Sequence, residues 1–312
     1  VVDKTGTLTE GKPSVSRVLT FGNTTEKDLL QTLYSLNKQS EHPLAKATNA
    51  YAQAQGITPL SFTHFEALAG RGVKASFEGK DYFFGNERLI KELDIALPEE
   101  VSTAVKAEQA QGKTVSLVVV GNQVIGAVAI TDKVKTSTAE AIQELQDLGV
   151  EIVMLTGDNP LTAEAVAKEI GITQYKAEML PQNKQEEIVR LQAEGKMAGD
   201  GINDAPALAQ ANVGIAMGNG TDIAIESAKI TLVKGDLSGI VKAKKLSKAV
   251  VKNIRENLFF ALVYNSVGIP VAAGGLYPIF GILLSPMLGA LAMSFSSVSV
   301  ISNALRLRRT KL

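Results

Sequence analysis

The pattern of apolar and polar positions changes character several times along this chain. Val1-Val2 is a short apolar stub, and polar residues begin at once at Asp3, as where a buried strand ends and a loop begins. From about Ser14 to Gly126 short apolar runs and amphipathic stretches follow one another, punctuated at Gly22-Asn23, Gly56, Gly79 and Gly121-Asn122. Leu29, Leu30, Leu33 and Leu36 predict a helix over residues 26–36, and Pro43 opens a second that ends at Gly56. Residues 73–77, 82–85, 115–120 and 124–130 read as strands, with a helix near 102–111. A helix pair, strands, a helix and two more strands predict an antiparallel sheet with helices on it, inserted after the first strand of another unit.

Beyond Ile130 strands and helices alternate. Helices are predicted at 137–148, 161–170 and 183–193, and another from Ala205. Strands are predicted at 151–155, leading into Gly199-Asp200, at 213–217 and at 230–233. This is the rhythm of a doubly wound parallel sheet of the α/β class, with Val1-Val2 as its first strand. The apolar run before Gly199 is only Met197-Ala198, short for a buried strand, so that strand is expected to be abbreviated or to have lost residues.

The last part differs again. Lys242, Lys245, Lys248, Lys252 and Arg255 recur at helical spacing, and residues 257–305 then carry no charge. A spanning helix needs about 20 apolar residues, so this stretch predicts two, with a break at Tyr277-Pro278. Basic residues precede the first and follow the second at Arg306, Arg308, Arg309 and Lys311, which puts both ends on the cytoplasmic side. The basic stretch also suits anionic lipid headgroups.

Composition narrows the function classes. The 312 residues carry 32 basic and 32 acidic side chains and no cysteine. The balanced charge gives no support to a nucleic-acid partner, and disulfides or thiolate metal sites are excluded from this sequence. No signal peptide opens the text, which starts inside a strand without an initiator Met and reads as a piece of a longer chain.

Asp3 ends a strand, where open α/β sheets keep their active sites. A carboxylate there is a candidate nucleophile toward phosphorus, forming an acyl phosphate. Lys4 brings positive charge, Gly6 allows close backbone approach, and the hydroxyls of Thr5 and Thr7 can bind phosphate oxygens. The run Asp3-Lys4-Thr5-Gly6-Thr7-Leu8-Thr9 resembles the phosphorylation motif of the P-type ATPases, a branch of the haloacid-dehalogenase-like phosphotransferases. Related phosphatases usually carry a second Asp two residues after the nucleophile. Thr5 stands there, so an aspartyl phosphate is expected to persist until a base from elsewhere hydrolyses it.

The resemblance implies further roles. Gly199-Asp200-Gly201-Ile202-Asn203-Asp204 is similar to the family's magnesium loop, assigning Asp200 and Asp204, with Asp3 and Thr5, to Mg2+. Thr156, Gly157 and Asp158 resemble its phosphate-contacting and nucleotide-supporting motif, and Lys184 the lysine that neutralises the phosphoryl group. Ser40-Glu41-His42-Pro43 and Gly70-Arg71-Gly72 resemble the nucleotide-binding elements of the heavy-metal branch, assigning Glu41, His42, Gly70, Gly72 and Asn86 to ATP. Asp132 and Lys135 stand at the return to the sheet and are expected to steady that hinge, or to be a polar connection.

Intramembrane polar residues are functional candidates by default, and thioether sulfur selects Cu(I). Tyr264-Asn265 and Met293-x-x-x-Ser297 resemble the last transport helices of copper exporters, with silver accepted by the same ligands; ordinary helix packing would also use such residues. The expected division is residues 1–13 and 128–240 for phosphorylation, 14–127 for nucleotide binding and 241–312 for the membrane. The implied activity is ATP-driven Cu(I) export, with a copper chaperone as possible donor and the plasma (inner) membrane as the site in a bacterium. The rival is a membrane-tethered phosphatase of the same superfamily.

Overall fold

The computed structural model describes residues 1–68, 70–194, 199–200, 205–218, 220–275, 277–281 and 285–310. It divides into a unit from Val1 to Ser238 and another from Gly239 to Leu312.

The first unit opens with β1 (Val2–Asp3). The inserted elements follow as β2 (Ser14–Thr20), α1 (Glu26–Asn37), α2 (Pro43–Ala54), β3 (Thr63–Leu68), β4 (Gly72–Phe77), β5 (Lys80–Gly85), α3 (Glu87–Glu92), α4 (Glu99–Gln109), β6 (Thr114–Val120) and β7 (Gln123–Thr131). All six of these strands form one antiparallel sheet in the order β2-β7-β6-β5-β4-β3. Period-two alternation divides its side chains between two cores. Leu29, Leu30, Leu33 and Leu36 of α1 pack on Val73, Ala75, Phe84, Val118, Val128 and Ile130. On the other face Leu89 and Ile90 of α3 and Val101 and Val105 of α4 pack on Phe83, Val115, Leu117, Val119, Ala127 and Ala129. With both faces covered, the central strands are apolar at nearly every position, which is why 115–120 reads as a run rather than an alternation.

Local chemistry starts the helices. The Thr25 hydroxyl accepts from the Asp28 N–H (3.2 Å) to cap α1, and Pro43 fixes the first turn of α2. Neither β2 nor β3 stood out in the sequence. Both are edge strands with mostly solvent-facing side chains and lack an apolar run.

The rest of the unit comprises α5 (Thr138–Asp147), β8 (Val153–Leu155), α6 (Pro160–Glu169), β9 (Gln174–Lys176), α7 (Pro181–Ala193), β10 (Gly199–Asp200), α8 (Ala205–Gln210), β11 (Val213–Met217), α9 (Asp222–Ser227) and β12 (Ile230–Leu232). All pairs are parallel, in the ladders β1-β8-β9 and β10-β11-β12. The register sets Asp3 opposite Leu155, so Thr156 follows beside Asp3 at the same end of the sheet.

The second unit holds α10 (Ser238–Ala272), α11 (Tyr277–Phe280) and α12 (Pro286–Leu305). Two spans were expected with a break at Tyr277-Pro278. Instead α10 ends at Ala272, Gly274 turns with φ +84°, and Tyr277 begins the next short helix. Among the described residues one segment, Gly289–Arg309, is long and apolar enough to cross a membrane. The physical reason is that the lysine-rich stretch and the uncharged stretch form one helix, and its uncharged part from Asn257 to Ala272 falls short of the about 20 residues required. Three asparagines join the helices. Asn253 Nδ2 donates to the Asn303 carbonyl (2.7 Å), Asn303 Nδ2 to Asn257 Oδ1 (3.0 Å) and Asn257 Nδ2 to Asn253 Oδ1 (3.1 Å).

Leu33 is fully buried between α1 and the sheet. Leu33→Ala is expected to destabilise the first unit by ~2–5 kcal/mol through lost burial and a residual cavity, measured by urea unfolding.

Candidate active site

Asp3 is the last residue of β1 and 7% exposed. The chain then turns sharply, with Thr5 at φ −74°, ψ 120° and Gly6 at φ +76°, ψ −12°. These are the angles of a type II turn, whose third position favours glycine because a side chain there is strained. The Thr9 hydroxyl closes the loop, accepting from the Gly6 N–H (3.1 Å) and donating to Asp132 Oδ2 (2.5 Å). Lys135 Nζ donates to the carbonyls of Gly6 (2.9 Å), Thr7 (2.9 Å) and Gly235 (2.7 Å). Burial pushes the Lys135 pKa below its ordinary value, against the opposing charges of Asp236, Asp132 and Glu10. Asp132 and Lys135, foreseen only as hinge or connection, therefore bind the loop directly.

Two lysines and two carboxylates meet at the strand ends. Lys184, in the first turns of α7, lies 2.9 Å from Asp3 Oδ1, and both side chains are about nine-tenths buried. Lys4 pairs with Asp158 Oδ2. Asp158 also accepts from the Thr156 hydroxyl at Oδ2 (3.0 Å) and from Thr114 at Oδ1 (2.7 Å), while its own N–H donates to Thr156 Oγ1 (3.1 Å). Burial pushes the Asp158 pKa up, but the Lys4 charge and these hydrogen bonds outweigh it, and the carboxyl sits below its ordinary value. Thr7 is fully buried, whereas Thr5 and Gly157 are exposed beside this group. The result is a buried carboxylate at a strand end with two lysine side chains at hand, a setting in which an anionic phosphoryl group can be neutralised.

For the nucleotide candidates, the structure forms two groups. Gly70, Gly72 and Asn86 come together: Asn86 Nδ2 donates to the Gly70 carbonyl (3.0 Å), and its Oδ1 caps α3 from the Leu89 N–H (3.2 Å). Gly72 pairs with Gly85 so closely that an added Cβ would lie 2.1 Å from the Phe84 carbonyl oxygen. A Cβ on Gly70 would lie 3.0 Å from Leu180, which places this loop beside the start of α7, the helix of Lys184. Glu41 and His42 are exposed at the start of α2, where His42 Nδ1 accepts from the Leu44 N–H (3.3 Å). Desolvation holds the His42 pKa below its ordinary value. No hydrogen bond joins the two groups among the described residues.

Of the magnesium candidates, Asp204 lies outside the described residues, and for Asp200 the backbone is described, paired with Gly214 at the end of β10. Asp3, Thr5, Asp200 and Asp204 are a hard, all-oxygen donor set, which fits Mg2+. Among the copper candidates, the Tyr264 hydroxyl approaches Ser299 Oγ (3.4 Å) across α10 and α12. Met293 is 75% exposed, and the Ser297 hydroxyl donates to the Met293 carbonyl (3.3 Å). No hydrogen bond brings Asn265 to these residues among those described.

The family profile of haloacid dehalogenase-like hydrolases matches residues 1–212, and a second profile of the same description matches 191–243. The chain belongs to the haloacid dehalogenase-like hydrolases. Its particular resemblance within them is to metal-transporting P-type ATPases. It is 53% identical to a copper-transporting P-type ATPase of Rhizobium leguminosarum bv. viciae, covering all of this chain and 37% of that protein. A silver-exporting P-type ATPase of Salmonella typhimurium is 50% identical, with all of this chain and 38% of that protein covered. The crystal structure of a zinc-transporting PIB-type ATPase in an E2.Pi state superposes with a TM-score of 0.67 at 33% identity, over 98% of this chain and 49% of that one. The chain thus spans well under half the length of these curated relatives.

Sequence reasoning passed over Thr114 and Thr9. Thr9 lay within the opening motif, but its bond to Asp132 spans 123 positions; Thr114 begins an apolar strand and carried no signal toward Asp158.

Because Asp158 titrates below its ordinary 3.8, the stability of its pairing is complete above that value and is lost as pH falls through the lower folded-state value. Asp158→Ala, which leaves Lys4 buried without this partner, is expected to destabilise the unit by ~3–5 kcal/mol at neutral pH. The gap to the unsubstituted protein should narrow below about pH 4, as read by thermal unfolding across pH.

Proposed function

We propose that this chain is the catalytic and C-terminal membrane portion of an ATP-driven Cu(I) exporter working through an aspartyl phosphate. The observation that carries the reading is the buried pair at 2.9 Å between Lys184 of α7 and Asp3, which opens the Asp3–Thr9 motif at a parallel strand end. Residues 14–127 hold ATP through Glu41, His42, Gly70, Gly72 and Asn86. Residues 1–13 and 128–240 perform phosphoryl transfer, and 241–312 supply membrane helices. The approach of Gly70 to Leu180 supports delivery of the nucleotide's phosphates toward Asp3.

In the reaction an Asp3 carboxylate oxygen forms a bond to the γ-phosphorus, and the bond from that phosphorus to the bridging oxygen breaks, releasing ADP. Lys184 and Lys4 neutralise charge, Thr5 and Thr7 contact phosphate oxygens, and Thr156, Gly157 and Asp158 hold the pocket's far side. Magnesium bound by Asp3, Thr5, Asp200 and Asp204 would supply further charge neutralisation. With Thr5 in place of a carboxylate, the acyl phosphate persists long enough for metal access to change. Hydrolysis then takes a base from elsewhere in the protein.

The protein is an integral membrane protein with its catalytic units in the cytoplasm, in the plasma (inner) membrane if bacterial. Tyr264, Asn265, Met293 and Ser297 line the Cu(I) path, which would also take silver, and the Tyr264–Ser299 approach supports meeting of the two helices there. A copper chaperone is a fitting donor, and the basic stretch of α10 suits lipid headgroups.

Asp3→Asn is expected to abolish the hydroxylamine-sensitive phosphoenzyme formed from radiolabelled ATP; its persistence would overturn the reading. Met293→Ala should remove Cu(I) stimulation of ATP hydrolysis, and unchanged stimulation would place the metal path elsewhere.

A further inference from the structure

Besides the Gly70–Leu180 approach, three consecutive residues join the inserted sheet to α6 and to Asp158. Gly112 turns with φ +76° and packs so that a Cβ there would lie 3.3 Å from Val166 Cγ2 of α6. The Lys113 carbonyl accepts from the Thr162 hydroxyl (2.8 Å), and Thr162 is in turn held by Asn159, the cap of α6. The Thr114 hydroxyl donates to Asp158 Oδ1 at 2.7 Å. Lys113's own ammonium points elsewhere, to Glu108 (2.6 Å), a carboxylate shared with Arg17 (2.7 Å).

The two oxygens of Asp158 therefore face two different partners. Oδ2 takes Lys4 and Thr156 from the parallel unit, while Oδ1 takes Thr114 from the sheet. Thr114 is the first residue of β6, which is paired on both edges, by β5 and β7, in the middle of the six-stranded sheet. Its hydroxyl moves with that sheet as a body. Undocking the sheet would strip a buried carboxylate of one partner and free its plane to rotate, and Lys4, its ion-pair partner beside Asp3, would follow.

We infer that Thr114 is a positioning residue for phosphoryl transfer, its hydroxyl linking the docking of the inserted sheet to the Lys4–Asp158 pair beside Asp3. The inference rests on the reading of Asp3 as the residue phosphorylated by ATP. It makes the charge arrangement around Asp3 complete only when the lobe that carries the nucleotide is seated.

Thr114→Val, nearly isosteric, removes the hydroxyl, and Thr114→Ser retains it. In the purified protein, phosphoenzyme formation is followed from ATP and, separately, from inorganic phosphate, which needs no delivery by the sheet. A hydrogen bond to a buried charge corresponds to about tenfold in rate. Thr114→Val is expected to slow phosphorylation by ATP about tenfold with KM for ATP within about twofold, to leave phosphorylation by inorganic phosphate unchanged, and to be rescued by Thr114→Ser. A normal rate in Thr114→Val, a change confined to KM, failure of the serine variant, or equal slowing by both phosphate sources would each overturn the inference. Asp3→Asn run alongside separates the two claims. Loss of its phosphoenzyme with a normal Thr114→Val sinks the inference alone, whereas a surviving phosphoenzyme in Asp3→Asn sinks the underlying reading.

Discussion

Four charges buried side by side at the ends of β1 and β8 set the terms for the rest of the first unit. Each of Asp3, Lys4, Asp158 and Lys184 would be expensive to desolvate alone, by several kcal/mol after relaxation, and each is tolerated because a partner or hydrogen-bond donor meets it. That tolerance depends on register. Asp3 faces Leu155 across the parallel pair, so Thr156 and Asp158 arrive beside Lys4, and α7 begins where Lys184 can reach back to Asp3. A carboxylate so compensated is held in place, as the nucleophile proposed here must be.

The large insertion is compatible with this geometry because its two ends meet. β2 and β7 pair antiparallel, with Ser14 opposite Thr131, so the chain leaves and returns at nearly the same place. The return is then stapled to the Asp3–Thr9 loop. Thr9 and Val134 form a bridge, Thr9 and the Lys12 N–H both bond Asp132, and Lys135 gathers three carbonyls from the loop and from Gly235. These bonds fix the base of the insertion against the Asp3–Thr9 loop. The insertion's contact with the charges runs instead through Thr114 and Asp158.

In the second unit a group of amides joins α10 to α12, beside the longer Tyr264–Ser299 approach. Asn253 and Asn303 are buried and mutually satisfied through Asn257, and Arg306 adds a bond to Asn303 Oδ1 (2.9 Å). Uncharged amides can both donate and accept, so a short chain of them joins two helices without burying net charge.

The sequence by itself determined the elements whose signal is local. The Leu29–Leu36 spacing, the apolar central strands, the helix started by Pro43 and the strand-end placement of Asp3 all follow from side-chain periodicity and turn chemistry within a few residues. So did the resemblance that the relatives bear out, because a motif of seven adjacent residues is written in one place. Edge strands β2 and β3 escaped, since half-exposed strands need no apolar run, and the end of α10 moved because nothing local separates its basic half from its uncharged half. Only tertiary structure decided that Lys4 turns to Asp158 while Lys184 takes Asp3, and that Thr114 and Thr9 belong with them. Those choices join residues separated by 44 to 181 positions. No periodicity encodes them; they follow from which strands lie adjacent and from the cost of leaving a buried charge without a partner.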